Sequence, residues 1–223
     1  MEEFIPKVQE FWDAYGFKPR WRGKLHAIAF FCTIPAGIAL LASASTTVSR
    51  VAVAVYVASL AGLFAASASY HRLAHSERAV RWLRRLDHSM IFVLIAGTYT
   101  PICLIALPRA WGVPMLVAVW VTALAGIITK MVRLGLGNSP SGSWLYVVLG
   151  WGSVIVLPRL LDSLSVVQLV LLGTGGLLYS VGAVILARRR PDPVPAVFGY
   201  HEVWHVFTLV AVACHFTMMA TLV

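Results

Sequence analysis

The chain has 223 residues, 59% of them hydrophobic and only 12% charged, and carries a formal charge of +9, with a mean hydropathy of +0.81. That balance excludes both a soluble domain with a charged skin and a disordered chain, and predicts an all-α integral membrane protein. The basic residues gather at the borders of apolar runs, which suits anionic lipid headgroups and membrane topology rather than a nucleic-acid-binding face.

Residues 1–24 are polar, mix acidic with basic side chains and lack the apolar core of a secretory signal, so they read as a cytoplasmic N-terminal segment. Within them Phe4, Ile5, Val8, Phe11, Trp12 and Tyr15 recur at helical spacing, which predicts a helix lying in the membrane interface. The transmembrane domain is expected over 25–223. A helix needs about 20 apolar residues to cross roughly 30 Å of hydrocarbon, and seven runs satisfy this: 25–46, 50–70, 87–107, 110–130, 143–161, 165–187 and 201–222. They are divided by Ser43 to Ser49, Pro108-Arg109 with Gly112, the Gly/Ser/Pro stretch from Gly135 to Gly142, Pro158 to Asp162, and Arg188 to Pro195. Gly173, Gly175 and Gly176 inside the sixth run predict a close helix contact. Cys32, Cys103 and Cys214 are isolated in apolar runs without a CxxC pair, and read as small packing residues.

Charge sets the expected orientation. Lys7, Lys18, Arg20, Arg22 and Lys24, then Arg72, Arg78, Arg81, Arg84 and Arg85, then Lys130 and Arg133, then Arg188, Arg189 and Arg190 fall on alternate connections, while the opposite connections hold only Arg50, Arg109 and Arg159. The excess of Lys and Arg belongs on the cytoplasmic side, so the N-terminus is expected inside and the C-terminus outside.

This topology puts several rare polar residues at one depth. The second span runs inward and ends with Ser67, His71 and His75; the third starts inside with Asp87 and His88; the seventh starts inside with His201 and His205. His201 and His205 are four residues apart, hence about one turn and 6 Å apart on one helix face. Ionisable residues inside a membrane are expensive unless they pair, ligate or face a wet cavity. His71, His201 and His205 are therefore expected to converge on a metal ion.

Three neutral imidazoles leave one position open in a tetrahedral zinc site, which is the catalytic rather than the structural arrangement. Zinc lowers the pKa of a bound water to about 7 and polarises a carbonyl, so the expected chemistry is hydrolysis. Ser67, one turn before His71, and Asp87, on the adjacent helix, are the expected catalytic neighbours, able to orient the water, hold a ligand imidazole or donate to an oxyanion. The apolar surroundings suit a lipid acyl chain. His75 runs out into Ser76-Glu77-Arg78 and reads as a loop residue; His88 reads as packing or hydrogen bonding, and His215 as a buried donor between helices.

The string Ser67-x-x-x-His71, then Asp87-His88 on a helix running into Ile95-Ala96-Gly97-Thr98-Tyr99-Thr100-Pro101, then His201-x-x-x-His205, resembles the signature of the haemolysin III branch of the progestin and adiponectin receptor family. The resemblance implies a seven-helix bundle of the bacterial plasma membrane, N-terminus inside, with zinc near the cytoplasmic face. On matching positions it implies His71, His201 and His205 as ligands, with Asp87 and Ser67 beside the zinc-bound water. The wider family is similar to alkaline ceramidases, which implies hydrolysis of an amide bond in a ceramide-like lipid. The opening of the first span, Gly23-Lys24-Leu25-His26-Ala27, departs from the family's Glu/Asn-rich, Thr-His-Gly-like entry, so no role follows for His26.

Other readings use the same residues. His201-Glu202-Val203-Trp204-His205 matches the HExxH pattern of zinc proteases, with Glu202 as general base. That reading requires another ligand, and its best candidate, Asp162, is expected at the opposite membrane face. A receptor could keep the zinc without turnover. A pore needs a continuous polar path, for which spans four to six offer almost no ionisable residue.

Overall fold

The computed structural model describes residues 17–133 and 144–223. The interfacial helix expected over 4–15 and the Gly/Ser/Pro stretch from 135 to 142 lie outside them. Seven helical spans follow in order: α1 (Lys24–Ser43), α2 (Thr47–Leu73), α3 (Glu77–Pro101, continued by a π-helical turn over Ile102–Ala106), α4 (Arg109–Arg133), α5, α6 (Val166–Arg188) and α7 (Tyr200–Ala220). The fifth, α5, is composite: Trp144–Gly150 is α-helical, Trp151–Val156 is 3-10 and Leu157–Ser163 is α-helical again. All seven are long and apolar enough to cross a membrane.

The described residues form no strands, only an isolated bridge between Val194 and Phe198. Successive helices pack as neighbours, α1 on α2, α2 on α3, α3 on α4 and α6 on α7, and α1 also packs on α7, bringing the first and last spans together. Tyr56, Leu60 and Phe64 of α2, Phe92 and Ala96 of α3, and Met218 and Met219 of α7 are fully buried between them. Phe31, Ile38, Val121, Leu124, Ile155 and Val166 are each more than half exposed. Apolar side chains directed outward along whole helices are what a lipid solvent permits and water does not.

One boundary and one helix contact differ from expectation. The third span was expected from residue 87, yet α3 begins at Glu77, where the Ser76 hydroxyl accepts from the Ala79 amide at 3.2 Å. Hydropathy marks where lipid begins, whereas the cap marks where the helix begins, and here a polar, arginine-rich stretch separates the two. Asp87 accordingly sits well inside α3 rather than opening it. The sixth-span glycines also divide: a side chain at Gly175 would strike the His215 imidazole, while Gly173 and Gly176 face open space. Only Gly175 fits the close helix contact expected of all three.

The 3-10 stretch of α5 needs partners for its displaced backbone groups, because hydrocarbon offers none. Tyr99 of α3 supplies them. Its hydroxyl accepts from the Ser153 amide at 2.6 Å and faces the carbonyls of Leu149 and Gly150 at 3.1 and 2.9 Å. Tyr99→Phe leaves these backbone groups without that partner in a setting that offers no water and is expected to destabilise the protein by about 1–3 kcal/mol, measured by thermal denaturation in detergent.

Candidate metal centre

The last turn of α2 meets the first two turns of α7, and three imidazoles face one another there. His71 comes from α2; His201 and His205 lie on one face of α7. One nitrogen from each falls within 4.8 Å of the other two. The Nε2 atoms of His71 and His201 are 3.3 Å apart. Ring centroids are separated by 4.9 Å for His71–His201, 4.6 Å for His201–His205 and 5.5 Å for His71–His205. His71 and His205 are essentially closed to solvent, and His201 is partly open.

These residues fit a metal ion. Two nitrogens bound to one tetrahedral zinc at about 2.0–2.1 Å stand about 3.3–3.4 Å apart, which matches the His71–His201 separation. The buried Nε2 of His205 has no hydrogen-bond partner in the protein, an unfavourable state for a polar atom unless something binds it. Among the described residues this is the group able to hold an ion, and no carboxylate enters it.

Ser67 and Asp87 adjoin the cluster without joining it. Ser67 lies one turn before His71 on α2, and its buried hydroxyl closes no well-formed hydrogen bond. It lies beside the buried Asp87 carboxyl of α3. The Asp87 carboxyl is also 3.9 Å from Nδ1 of His88, whose shorter contact is with the Arg84 carbonyl at 2.9 Å. The His88 carbonyl in turn accepts from the Tyr146 hydroxyl at 3.0 Å. His88 is thus a packing and hydrogen-bonding residue of α3.

The segment leading into α1 forms the end wall. The Arg20 and Trp21 amides donate to the Ala196 and Val197 carbonyls, both at 3.1 Å. Arg22 Nε donates to Glu202 Oε1 at 2.6 Å, with both side chains almost wholly buried. The second Glu202 oxygen accepts from the Gly199 amide at 2.9 Å, and Asp192 accepts from the Tyr200 amide at 2.9 Å. Two carboxylates therefore satisfy the N-terminus of α7, where the helix dipole also favours negative charge. Gly23 follows at φ 75°, and a Cβ there would stand 2.6 Å from the Cβ of His71. Both the positive φ and the close approach call for glycine.

The remaining sequence candidates separate cleanly. His75 is exposed in the turn after α2. Nε2 of His215 faces the Leu172 carbonyl of α6 at 3.2 Å, joining α6 to α7. Asp162 is exposed and pairs with Arg159 at 3.5 Å. It sits at the far end of α6, whose 23 residues span about 34 Å, so it is not a partner for HExxH histidines. Glu202 is held by Arg22 and by the Gly199 amide at the start of α7. Sequence reasoning passed over Arg22, counted only as a topological charge, and left His26 without a role. His26 is buried and stacks on His205 at 3.9 Å between centroids.

A family model described as haemolysin-III related matches residues 15–216. Hemolysin-3 of Bacillus cereus is 36% identical over 190 residues, covering 82% of each chain. Hemolysin-3 homolog of Bacillus subtilis (strain 168) is 35% identical over 187 residues, covering 82% of this chain and 84% of its own.

Proposed function

The chain belongs to the haemolysin III-related family of multi-pass membrane proteins, and from that premise we propose that it is a zinc-dependent hydrolase cleaving an amide or ester bond of a membrane lipid. The observation that carries this is the donor set: three imidazole nitrogens within 4.8 Å of one another and no carboxylate among them, which leaves one tetrahedral position for water or substrate. Bound zinc would supply a Lewis acid and a water with a pKa of about 7. His71, His201 and His205 would hold the ion. Asp87 would serve as the proton acceptor and donor beside the open position, and the Ser67 hydroxyl would donate toward charge developing on a carbonyl oxygen. The buried segment leading into α1 limits competing solvent, and the apolar bundle receives the acyl chain.

The site belongs on the cytoplasmic side in this reading, with the N-terminus inside and the C-terminus outside, because fifteen of the eighteen Lys and Arg residues fall on connections at that end. A cysteine introduced in the Arg188–Arg190 segment should resist an external impermeant label in intact cells, whereas one at 45–49 should react. External labelling at 188–190 would invert the orientation.

The activity is tested by incubating purified zinc-loaded protein with amide- and ester-linked lipids, with and without chelator. Product that disappears on chelation and returns with zinc supports turnover. A panel left intact under both conditions favours the second reading, a zinc-braced receptor, which draws on the same bridge between α2 and α7.

A further inference from the structure

His26 stands outside the three donors but lies against them. It is in the first turn of α1 and 3% exposed, with its ring flat on that of His205, centroids 3.9 Å apart and planes 8° from parallel. Phe64 of α2 packs against it at 5.2 Å. Both ring nitrogens are buried, and neither has a hydrogen-bond partner in the protein. Burying an imidazole in this way is unfavourable, and leucine or phenylalanine would fill the space without that penalty. A destabilising choice beside a binding site is the pattern expected of a residue kept for function.

The stacking excludes one role for His26. Imidazole lone pairs lie in the ring plane, so an ion held by His205 lies in the plane of that ring. The parallel His26 ring directs its own lone pairs along a different plane, so it is not a fourth ligand to the same ion. What remains is hydrogen bonding. A neutral imidazole offers one donor and one acceptor, enough to hold an anion, a carbonyl or a hydroxyl brought to the cluster.

We propose that His26 is a ligand-binding residue of this site, hydrogen-bonding through a ring nitrogen to whatever occupies the position that His71, His201 and His205 leave open. The proposal rests on the metal-site reading above, and its test separates the two. The probes are cobalt(II), loaded in place of zinc and followed by its visible spectrum, and azide, titrated into the open position. His26→Phe keeps a flat ring against His205 and removes both nitrogens; His26→Leu carries the same test if the larger ring does not fit; His26→Gln restores a donor and an acceptor.

Each variant should bind one cobalt per chain, and the phenylalanine and leucine variants should melt at or above the temperature of the unsubstituted protein. Azide should bind those two at least about 10-fold more weakly, as losing a hydrogen bond to a charged group implies, with glutamine recovering part of the loss. Unchanged azide affinity in cobalt-loaded His26→Phe or His26→Leu would make His26 a packing residue. Loss of cobalt from a folded variant would make it a ligand. Either result overturns the proposal while leaving the three-histidine site in place. Failure of the unsubstituted protein to bind cobalt would instead remove the metal-site reading itself, and this proposal with it.

Discussion

Alanine at His71, His201 or His205 is expected to abolish stoichiometric zinc binding and to lower the melting temperature of the zinc-loaded protein by about 10 °C. The size follows from linkage: a ligand present at a thousand times its Kd stabilises the folded state by about 4 kcal/mol, and about 2–4 °C accompanies each kcal/mol in a chain of this length. The three should behave alike although they sit on two helices. His201 and His205 share one face of α7, and His71 reaches them from α2, so a bound ion would join α2 to α7 and no pair of histidines would complete the site. Asp87→Ala should act more mildly on metal binding, weakening affinity by about 10–100-fold at most because it supplies no donor, while activity falls by about 100–10,000-fold with the loss of its proton transfer. His75→Ala, in the exposed turn, should change neither. Metal analysis of the purified variants, with thermal melts at matched zinc concentration, checks each outcome.

Glu202→Ala is expected to destabilise the fold by about 3–5 kcal/mol, the usual cost of leaving one member of a buried ion pair without the other. Arg22 and Glu202 are 2.6 Å apart and almost fully buried, and Glu202 also accepts from the Gly199 amide at the start of α7. Removing it leaves a buried guanidinium short of its counter-charge and a helix terminus short of an acceptor. The double substitution Arg22→Met with Glu202→Leu should recover most of the loss, since replacing both members of such a pair by apolar residues is often neutral or stabilising. Recovery also separates the two enzymatic readings of the HExxH string. A protease whose general base is Glu202 stays inactive in the double variant, whereas a hydrolase relying on the histidines regains zinc and turnover together with stability. Denaturation curves and zinc content of the single and double variants decide between them.

The seven spans could be read in advance because membrane solvation acts on every residue of a span and writes itself into composition. Their ends could not, as α3 illustrates: its first turns are polar and arginine-rich, so hydropathy missed them, while the Ser76 cap that starts the helix is a single local signal. Gly175 and Gly176 show the same limit from another side. They are equivalent in sequence, and only the orientation of α6 against α7 decides that one meets His215 and the other nothing.

The three histidines were legible because a four-residue repeat fixes two of them on one helix face and alternating topology brings the third to the same end. Arg22 and Glu202 were not, since each has an obvious local explanation, one as a topological charge and the other as part of a protease motif. Their pairing is a contact between residues 180 positions apart, and nothing local announces it. His26 was hidden for the same reason: its partner is the ring of His205 on the last helix, made adjacent by the packing of α1 on α7.

Zinc K-edge X-ray absorption of the purified, zinc-loaded protein tests the central claim most directly. The account predicts one zinc per chain with three imidazole nitrogens at about 2.0–2.1 Å, completed by one light oxygen donor, and loss of this spectrum in His71→Ala. A closed four-donor site containing sulfur or protein carboxylate, or an unchanged spectrum in the His71 variant, would contradict it.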